Sequence, residues 1–382
     1  MKKIGFISET DPFSDRIYWS GTNYKLREAL EMAGYVVVWI PYDPLFRKYS
    51  FQNVINTLYW KIRRRIFHRD PLVGIYSKSD ARRFAQSIDV EKIMNCDYLF
   101  FPNNGIIGVY LDTTVPVIYL SDATAYIMID YYWHNKDKRA LQIAKVLDEK
   151  ASQKSMINIR SSQWAINSVI NDCKCDKNRC FVLEFGPGID AKDIAPNPYY
   201  KSGRLNIMFS GIDWERKGGD LAVETVGLLR EKGLDARLTI AGPDKLPQKY
   251  HETEFIDYVG FLDKNNKEEY KKYIELYRKS HLLLLPTKAE CSAIVYCEAA
   301  AFGIPCYTFS TGGTANYVIN DYNGASFPVG SNAKDFADRI FNDIKQGRMK
   351  IYSDNAQTFY KENLSWEIWT KRFKAIMDEV DA

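Results

Sequence analysis

The sequence predicts an α/β protein with two doubly wound domains, each built on a parallel sheet, facing each other across a cleft. Short apolar strand candidates alternate with helix candidates from the N-terminus, and this alternation restarts after the polar stretch AKDIAPNPYYKSGR. The 382 residues are also too many for one ordinary core and suit two domains. We expect domains at 1–184 and 185–363, and a C-terminal helix at 364–382 that packs on the first domain.

The first half opens with a strand–helix–strand unit. KKIGFI predicts a strand, YKLREALEMAG a helix that ends at Gly34, and YVVVWIP the next strand. The later elements of this half are strands at CDYLFFP, VPVIYL and MINIR, helices at 138–154 and 161–171, and a strand that leads into a turn at FVLEFGPGID.

The second half repeats the pattern. Its predicted strands are LNIMFSG, ARLTIAG, DYVGF, HLLLLP and IPCYTF, and its predicted helices are GDLAVETVGLLREKG, KEEYKKYIELYRKS and IVYCEAAAFG. Ligands of such sheets bind at the carboxyl ends of the strands. The candidate sites described below each fall just after a predicted strand, where a ligand is expected.

Composition excludes several classes of protein. A hydrophobic fraction of 46% and a charged fraction of 26% are typical of globular proteins, and a net charge of +4 does not indicate nucleic-acid binding. The apolar run near the N-terminus is too short for a signal peptide, and no run suits a membrane span, so we expect a cytoplasmic protein. Cys173, Cys175 and Cys180 do not have a zinc-site spacing and are interpreted as free thiols.

Positive charge is concentrated between Arg47 and Arg83, a segment that contains ten Lys and Arg residues and only two Asp residues. Within this segment, LYWKIRRRIFHR at 58–69 interleaves apolar and basic residues. One interpretation is an amphipathic helix on an anionic membrane, which would place the protein peripherally on the inner face. The other is a solvated helix over the first domain, and the sequence favours neither.

The SGTN motif at 20–23 precedes the first predicted helix. Gly21 allows a ligand to approach the backbone closely, and a helix N-terminus attracts anions. An ordinary turn between strand and helix is the alternative.

A second motif, SGIDWERKGGD, occupies 210–220. The strand before it ends at Gly211, and we expect Gly211 and Asp213 to contact the donor. Arg216 and Lys217 lie at the entry to a helix that is expected to begin near Gly219. Two cations at this point suit a diphosphate, whereas a solvated basic turn is the alternative.

The third motif, AECSAIVYCEAAAFGIPC, places two carboxylates, Glu290 and Glu298, in an apolar segment. A helix is expected to begin near Ser292, which leaves the backbone amides of Ser292, Ala293 and Ile294 available to an anion. The sequence shows no obvious protein partner for either carboxylate. Because unpaired buried carboxylates are costly, we expect both to bind ligand hydroxyl groups and neither to be needed for stability.

Glu290 and Glu298 after a strand, with Gly211, Lys217-Gly218 and Gly312-Gly313, resemble the retaining glycosyltransferases of family 4. The resemblance is strongest over 205–330, and FGPGID resembles the interdomain turn of that family. It implies the GT-B fold, with two Rossmann-like domains. It also implies that a nucleotide-sugar binds mainly to the C-terminal domain and the acceptor mainly to the N-terminal domain.

The resemblance also implies roles for single residues. Glu298 would bind the ribose, Glu290 the transferred sugar and Lys217 the diphosphate, together with the amides of 292–294. The residues expected to meet the base are Gly260, Phe261 and Leu262. The sequence departs from the family at Ile212, where Arg is usual, and we expect Arg216 to supply that charge. Ala293 and Asn316 replace a usual Gly and Glu.

Asp122, in VIYLSDATAY, is a further catalytic candidate because many relatives place a His or Asp there, facing the sugar. A turn or helix-cap residue is the equal alternative. No Asp-x-Asp follows a strand, so neither a metal nor a cofactor is expected, and Lys217 and Arg216 would hold the diphosphate instead.

The sequence thus predicts a retaining hexosyltransferase. The expected donor is a UDP-hexose, and UDP-glucose is the preferred candidate. The expected acceptor is a saccharide or a lipid-linked molecule in polysaccharide or glycolipid biosynthesis. Two alternatives stay open: a GT-B nucleotide-sugar epimerase and a two-domain sugar-binding protein without catalysis.

Overall fold

The structure is a computed structural model that describes residues 1–45, 51–197 and 199–381. Two basic residues of the predicted membrane segment, Arg47 and Lys48, lie outside the described residues. So does Ala382, the last residue of the predicted C-terminal helix.

The chain divides into two compact units. The first comprises Met1–Asp15, Leu26–Leu183 and Phe373–Ala382, and the second comprises Arg16–Lys25 and Glu184–Arg372. Residues of the SGTN motif therefore belong to the second unit, although they come early in the chain.

The first unit contains a parallel six-stranded sheet in the order β2-β1-β3-β4-β5-β6. Its strands are β1 Lys3–Ser8, β2 Val36–Pro41, β3 Tyr98–Pro102, β4 Val117–Ser121, β5 Ile157–Arg160 and β6 Cys180–Val182. The helices up to this point of the chain are α1 Thr22–Met32, α2 Phe51–Phe67, α3 Lys78–Ser87, α4 Val90–Met94, α5 Ala125–Met128, α6 Lys138–Lys154 and α7 Gln163–Asn171.

Buried strand residues form the core of the first unit. Phe6 of β1 stacks on Phe100 of β3, with ring centroids 5.5 Å apart. Both side chains are fully buried because a parallel sheet is covered on both faces. Phe373, near the C-terminus, contacts Phe100 edge-on at 6.4 Å, so the end of the chain also packs on this core.

The second unit contains another parallel six-stranded sheet, in the order β12-β11-β10-β7-β8-β9. Its strands are β7 Leu205–Ser210, β8 Ala236–Ala241, β9 Ile256–Gly260, β10 Leu282–Leu285, β11 Cys306–Phe309 and β12 Gly324–Phe327. The remaining helices are α8 Trp214–Lys217, α9 Gly219–Glu231, α10 Lys267–Lys279, α11 Ile294–Ala301, α12 Ala333–Lys345, α13 Arg348–Phe359 and α14 Trp366–Asp381.

Strand order in the second sheet determines where a ligand can bind. The chain runs outwards from β7 to β9, then returns to the other side of β7 and continues from β10 to β12. The order reverses between β7 and β10, and a crevice forms beyond the carboxyl ends of strands at such a switch point. The second and third sequence motifs follow these two strands directly.

The predicted α/β class with two doubly wound parallel sheets is confirmed. The helix at Lys138–Lys154 has its predicted bounds, and Gly34 has the positive φ of a helix C-cap, at 93°. Strand β12 and helices α3, α4, α5, α8, α12 and α13 are not among the elements predicted from the sequence.

Candidate functional site

A cavity of about 430 Å³ lies in the second unit at the switch point of its sheet. This volume is in the range of small-molecule sites. Its walls come from the segments that follow β7, β8, β9 and β10, from α10 and α11, and from the early segment 17–20. The lining residues are Ile17, Trp19, Ser20, Ser210, Gly211, Ile212, Arg216, Lys217, Ala241, Gly242, Phe261, Leu262, Lys264, Tyr273, Glu290, Ser292, Ala293, Ile294, Val295 and Glu298.

Lys217 and Glu290 form an ion pair in this cavity. The ammonium group of Lys217 contacts Oε2 of Glu290, and both residues are less than 10% exposed. Lys217 ends the short helix α8, and Gly218 follows it with a φ of 78°. A Cβ at Gly218 would lie 2.3 Å from the carbonyl oxygen of Pro286, so the close approach of the two loops requires glycine here.

Arg216 lines the cavity beside the ion pair of Lys217 and Glu290. Its guanidinium donates to the carbonyl oxygen of Ala289 at 2.8 Å and lies 3.7 Å from Oε2 of Glu290. It also forms an ion pair with Asp213 at 3.3 Å. Asp213 caps α8 and does not line the cavity, whereas Ile212 lines it and is 64% exposed. Arg216 thus lies beside Lys217 and near the carboxylate of Glu290.

Helix α11 begins at Ile294, two residues later than predicted. Ala293 occupies the N-cap position and has no side chain that could accept from the first amides. Ser292, Ala293 and Ile294 all line the cavity. The start of this helix, with its first backbone N–H groups, therefore forms part of the cavity wall.

Glu298 has several protein partners, so the prediction that the two carboxylates lack them is wrong for both. Oε2 accepts hydrogen bonds from the hydroxyl groups of Tyr273 and Tyr277, each at 2.6 Å, and Oε1 accepts one from the backbone N–H of Gly188 at 3.2 Å. Glu298 itself is 2% exposed. Burial and the nearby carboxylate raise the pKa of both tyrosines well above the ordinary value, so their hydroxyl groups stay protonated donors.

The loop after β9 supplies another wall. Phe261 and Leu262 line the cavity, whereas Gly260 does not and has a φ of 78°. Lys264, which the sequence analysis did not single out, also lines it. Its ammonium group donates to the carbonyl oxygen of Ser20 at 2.8 Å and lies 3.9 Å from Oε1 of Glu298. Burial lowers the pKa of Lys264, and the charge of Glu298 opposes that shift.

The early segment reaches the cavity with unusual backbone geometry. Trp19, Ser20 and Gly21 have successive positive φ values of 51°, 59° and 87°. Trp19 packs edge-on against Phe185, with ring centroids 5.1 Å apart. Gly21 does not line the cavity, but a Cβ there would lie 2.9 Å from the carbonyl oxygen of Arg16. The segment thus requires glycine at this turn.

An ion-pair cluster at Asp190 holds this segment in the second unit. The carboxylate of Asp190 accepts from the side chains of both Arg16 and Lys25. Burial alone would raise the pKa of Asp190, but the hydrogen bonds and charges of these two cations outweigh it and lower the pKa. The FGPGID turn thus contributes Gly188 to Glu298 and Asp190 to the early segment.

Asp122 follows β4 in the first unit and does not line the cavity. Cys173, Cys175 and Cys180 form no disulfide bond. In the described part of the chain, no cluster of three or more His, Cys, Asp or Glu residues could hold a metal ion. Nor is any of the described helices long and apolar enough to cross a membrane.

Comparison with known proteins finds a similarity over the part of the chain that forms most of this site. Residues 193–358 match the family model "Glycosyl transferases group 1". This range includes every motif of the cavity except the early segment and the FGPGID turn. The match covers less than half of the chain, and over this region the chain is similar to that family. An uncharacterized glycosyltransferase of Methanocaldococcus jannaschii is 24% identical over 206 residues, which cover 53% of this chain and 55% of that protein. The chain spans about half the length of the curated relatives it matches.

Solved structures extend the likeness to the whole fold. Sucrose-phosphate synthase from Thermosynechococcus elongatus superposes with a TM-score of 0.70 at 16% identity, covering 100% of this chain and 99% of that one. Anabaena HepE, in complex with UDP-glucose, gives a TM-score of 0.65 at 12% identity, covering 99% and 100%. The chain thus has the GT-B fold.

Proposed function

We propose that this protein is a retaining glycosyltransferase that moves a hexose from a nucleotide-sugar to an acceptor hydroxyl group. The observation that carries the proposal is the buried pair of Lys217 and Glu290 beside the start of α11, in the switch-point cavity of the second unit. A diphosphate needs a cation and backbone amides, and a reacting sugar needs a nearby carboxylate. This cavity holds all three.

The ion pair suggests how donor binding prepares the site. Lys217 contacts Glu290 directly in the structure. A bound diphosphate would compete for the ammonium group and free Oε2 of Glu290 to accept from hydroxyl groups of the sugar. As the sugar–phosphate bond breaks, charge grows on the leaving diphosphate, where Lys217 and Arg216 stabilise it. The acceptor hydroxyl then enters on the face from which the diphosphate leaves, through an oxocarbenium-like state.

We propose UDP-glucose as the donor, with Glu298 at the ribose and Phe261 and Leu262 near the base. The binding of UDP-glucose by HepE, a protein of the same fold, supports this choice. The acceptor is proposed to be a saccharide or lipid-linked molecule of polysaccharide or glycolipid biosynthesis in the cytoplasm. We propose that the first unit binds it, with Asp122 as the catalytic candidate there.

A thermal-shift screen against UDP-, GDP- and ADP-glucose tests the donor. We expect UDP-glucose to raise the melting temperature most, because a ligand at one hundred times its dissociation constant stabilises the native state by about 2.7 kcal/mol. Lys217→Ala should reduce the shift. If none of the three nucleotide-sugars raises the melting temperature, the proposal is contradicted. Turnover of donor to a different nucleotide-sugar without acceptor would favour an epimerase, and binding of free sugar alone a sugar-binding protein.

We also propose that α2 binds an anionic membrane surface. Its apolar residues Ile55, Leu58, Ile62 and Ile66 are spaced three or four apart and are each between 49% and 62% exposed. Trp60 instead packs on the small apolar cluster around Leu72 and Ala140. The apolar face is therefore free while the helix is held on the first unit.

The charges next to this face favour anionic lipid. Lys61, Arg64 and Arg65 are exposed on α2, and each basic residue near such a surface contributes about 1 kcal/mol. Arg63 instead forms an ion pair with the buried Asp137 at 2.9 Å, which fixes the helix. Apolar and basic groups on one helix are typical of helices that lie at a lipid interface.

Vesicle sedimentation tests this surface. The wild-type protein should bind phosphatidylserine vesicles at low salt and dissociate at high salt. Lys61→Glu with Arg65→Glu should abolish binding, and Leu58→Ser with Ile62→Ser should weaken it at all salt concentrations. Lys271→Glu with Lys272→Glu, an equal charge change at exposed positions of α10, is the control and should bind normally. Equal sedimentation with anionic and neutral vesicles would rule out the proposal that α2 binds an anionic membrane surface.

A further inference from the structure

The two oxygens of the Glu298 carboxylate have different partners. Two tyrosine hydroxyl groups, four residues apart on α10, donate to the same oxygen, Oε2, at 2.6 Å each. This distance is typical of hydrogen bonds to an ionised acceptor, which are short and strong. The tyrosines also contact each other, at 3.1 Å between their hydroxyl oxygens. Oε2 is thus occupied by two donors, and the side chain cannot rotate without losing both.

The other oxygen, Oε1, lies near Gly188 and Lys264. It accepts from the N–H of Gly188 at 3.2 Å, and the ammonium group of Lys264 lies 3.9 Å away. That separation is too long for a direct hydrogen bond, which ends near 3.2 Å. A hydroxyl oxygen can lie about 2.9 Å from a nitrogen donor and about 2.7 Å from a carboxylate oxygen at once. One oxygen atom can therefore lie within hydrogen-bond distance of both Oε1 and Lys264, because the two distances together exceed 3.9 Å.

Lys264 is placed to serve such a group. Its side chain is only 11% exposed, and it lines the cavity together with Glu298 and Tyr273. One of its three N–H donors binds the carbonyl oxygen of Ser20 at 2.8 Å, which fixes the ammonium group in position. A ligand hydroxyl would donate to Oε1 and accept from Lys264, so both its hydrogen-bonding functions would be used.

We propose that Tyr273 and Tyr277 are positioning residues that reserve Oε1 of Glu298 for the ligand, and that Oε1 and Lys264 together bind one hydroxyl group of the nucleotide ribose. This inference rests on the proposed function, since it takes the ligand to be a nucleotide. It makes Lys264 a specificity residue. A site built to bind a hydroxyl group from both sides rejects an analogue that lacks it, because its buried polar groups are then left unpaired.

Calorimetric titration with UDP, 2′-deoxy-UDP and 3′-deoxy-UDP tests the hydroxyl bridge. We expect wild-type protein to bind one of the two deoxy analogues about ten- to a hundredfold more weakly than UDP. The Lys264→Met variant should bind UDP about as weakly as the wild-type protein binds this analogue. Its affinity for the analogue should equal that of the wild-type protein. Equal affinity of wild-type protein for UDP and both analogues would overturn the inference, and so would an unchanged preference in Lys264→Met.

The role of the two tyrosines is tested by the same calorimetric comparison, which measures the preference for UDP over the weaker deoxy analogue. Tyr273→Phe with Tyr277→Phe removes both donors to Oε2 but keeps the rings, and the preference should fall several-fold. Tyr270→Phe, on the same helix, is the control, because its hydroxyl oxygen accepts from the backbone N–H of Asp190 and does not touch Glu298. If the double variant folds and keeps the full preference, the tyrosines are only structural.

The single variants keep the test decisive where the double variant does not fold. Tyr273→Phe leaves Tyr277 to hold the carboxylate, and it should still reduce the preference for UDP, whereas an unchanged preference contradicts the positioning role. Failure of wild-type protein to bind any of UDP, GDP and ADP would instead refute the proposed function, and this inference with it.

Discussion

Glu290→Ala is expected to lower the turnover number by about two to four orders of magnitude, which corresponds to about 3–5 kcal/mol of transition-state stabilisation. In the proposed mechanism its carboxylate faces the sugar whose positive charge grows in the transition state, so its contribution is larger there than in the ground state. The Michaelis constant for the donor should change little. Steady-state kinetics with the donor found in the thermal-shift screen measure both effects.

The same variant should also be less stable without ligand, contrary to the expectation from sequence. Removing Glu290 leaves the ammonium group of Lys217 buried without its nearest carboxylate, and removing one partner of a buried pair is destabilising. A nucleoside diphosphate should restore the lost stability by pairing with Lys217. Glu215→Ala, an exposed carboxylate of α8, is the control and should change neither quantity. Near-normal turnover in Glu290→Ala would exclude its catalytic role.

Glu298→Ala is expected to raise the Michaelis constant for the donor and leave the turnover number near the wild-type value. Its proposed partner, the ribose, changes little during reaction, so the contact contributes equally to ground state and transition state. The unliganded protein should melt at a lower temperature, because two tyrosine hydroxyl groups and the N–H of Gly188 lose their acceptor. Each buried donor left unpaired costs about 1–3 kcal/mol.

Glu298→Gln separates these effects. The amide oxygen can still accept from Tyr273 and Tyr277 but carries no charge, so stability should recover more than affinity does. Kinetics and melting curves of wild-type protein and the two variants give the comparison. A fall in turnover with an unchanged Michaelis constant would place Glu298 at the reacting sugar, and the two glutamates would then have to exchange roles.

The sequence predicts most of the fold because its signals are local. Buried strands such as LLLL at Leu282–Leu285 and the helix at Lys138–Lys154 are recognisable from short apolar runs and helical periodicity. Strand β12 was not anticipated, since GASF carries little β propensity. The start of α11 was placed two residues early because Ala293 provides no capping signal.

The motifs of the site were recognisable from sequence, but their protein partners were not. Lys217 and Glu290 are separated by 73 positions, and Tyr277 and Glu298 by 21, so only the folded chain brings them together. Tyr273 and Tyr277, four residues apart, suggest an ordinary core-facing side of a helix. The place of residues 16–25 in the second unit depends on distant contacts such as that of Arg16 with Asp190. No local pattern reports such contacts.

A crystal structure of the protein with bound UDP tests the central claim most directly. We predict that the nucleotide occupies the cavity beyond β7 and β10, with its diphosphate in contact with Lys217 and the amides at the start of α11. One ribose hydroxyl group should lie between Oε1 of Glu298 and the ammonium group of Lys264. UDP bound elsewhere, or bound in the cavity with its diphosphate away from Lys217, would contradict the account.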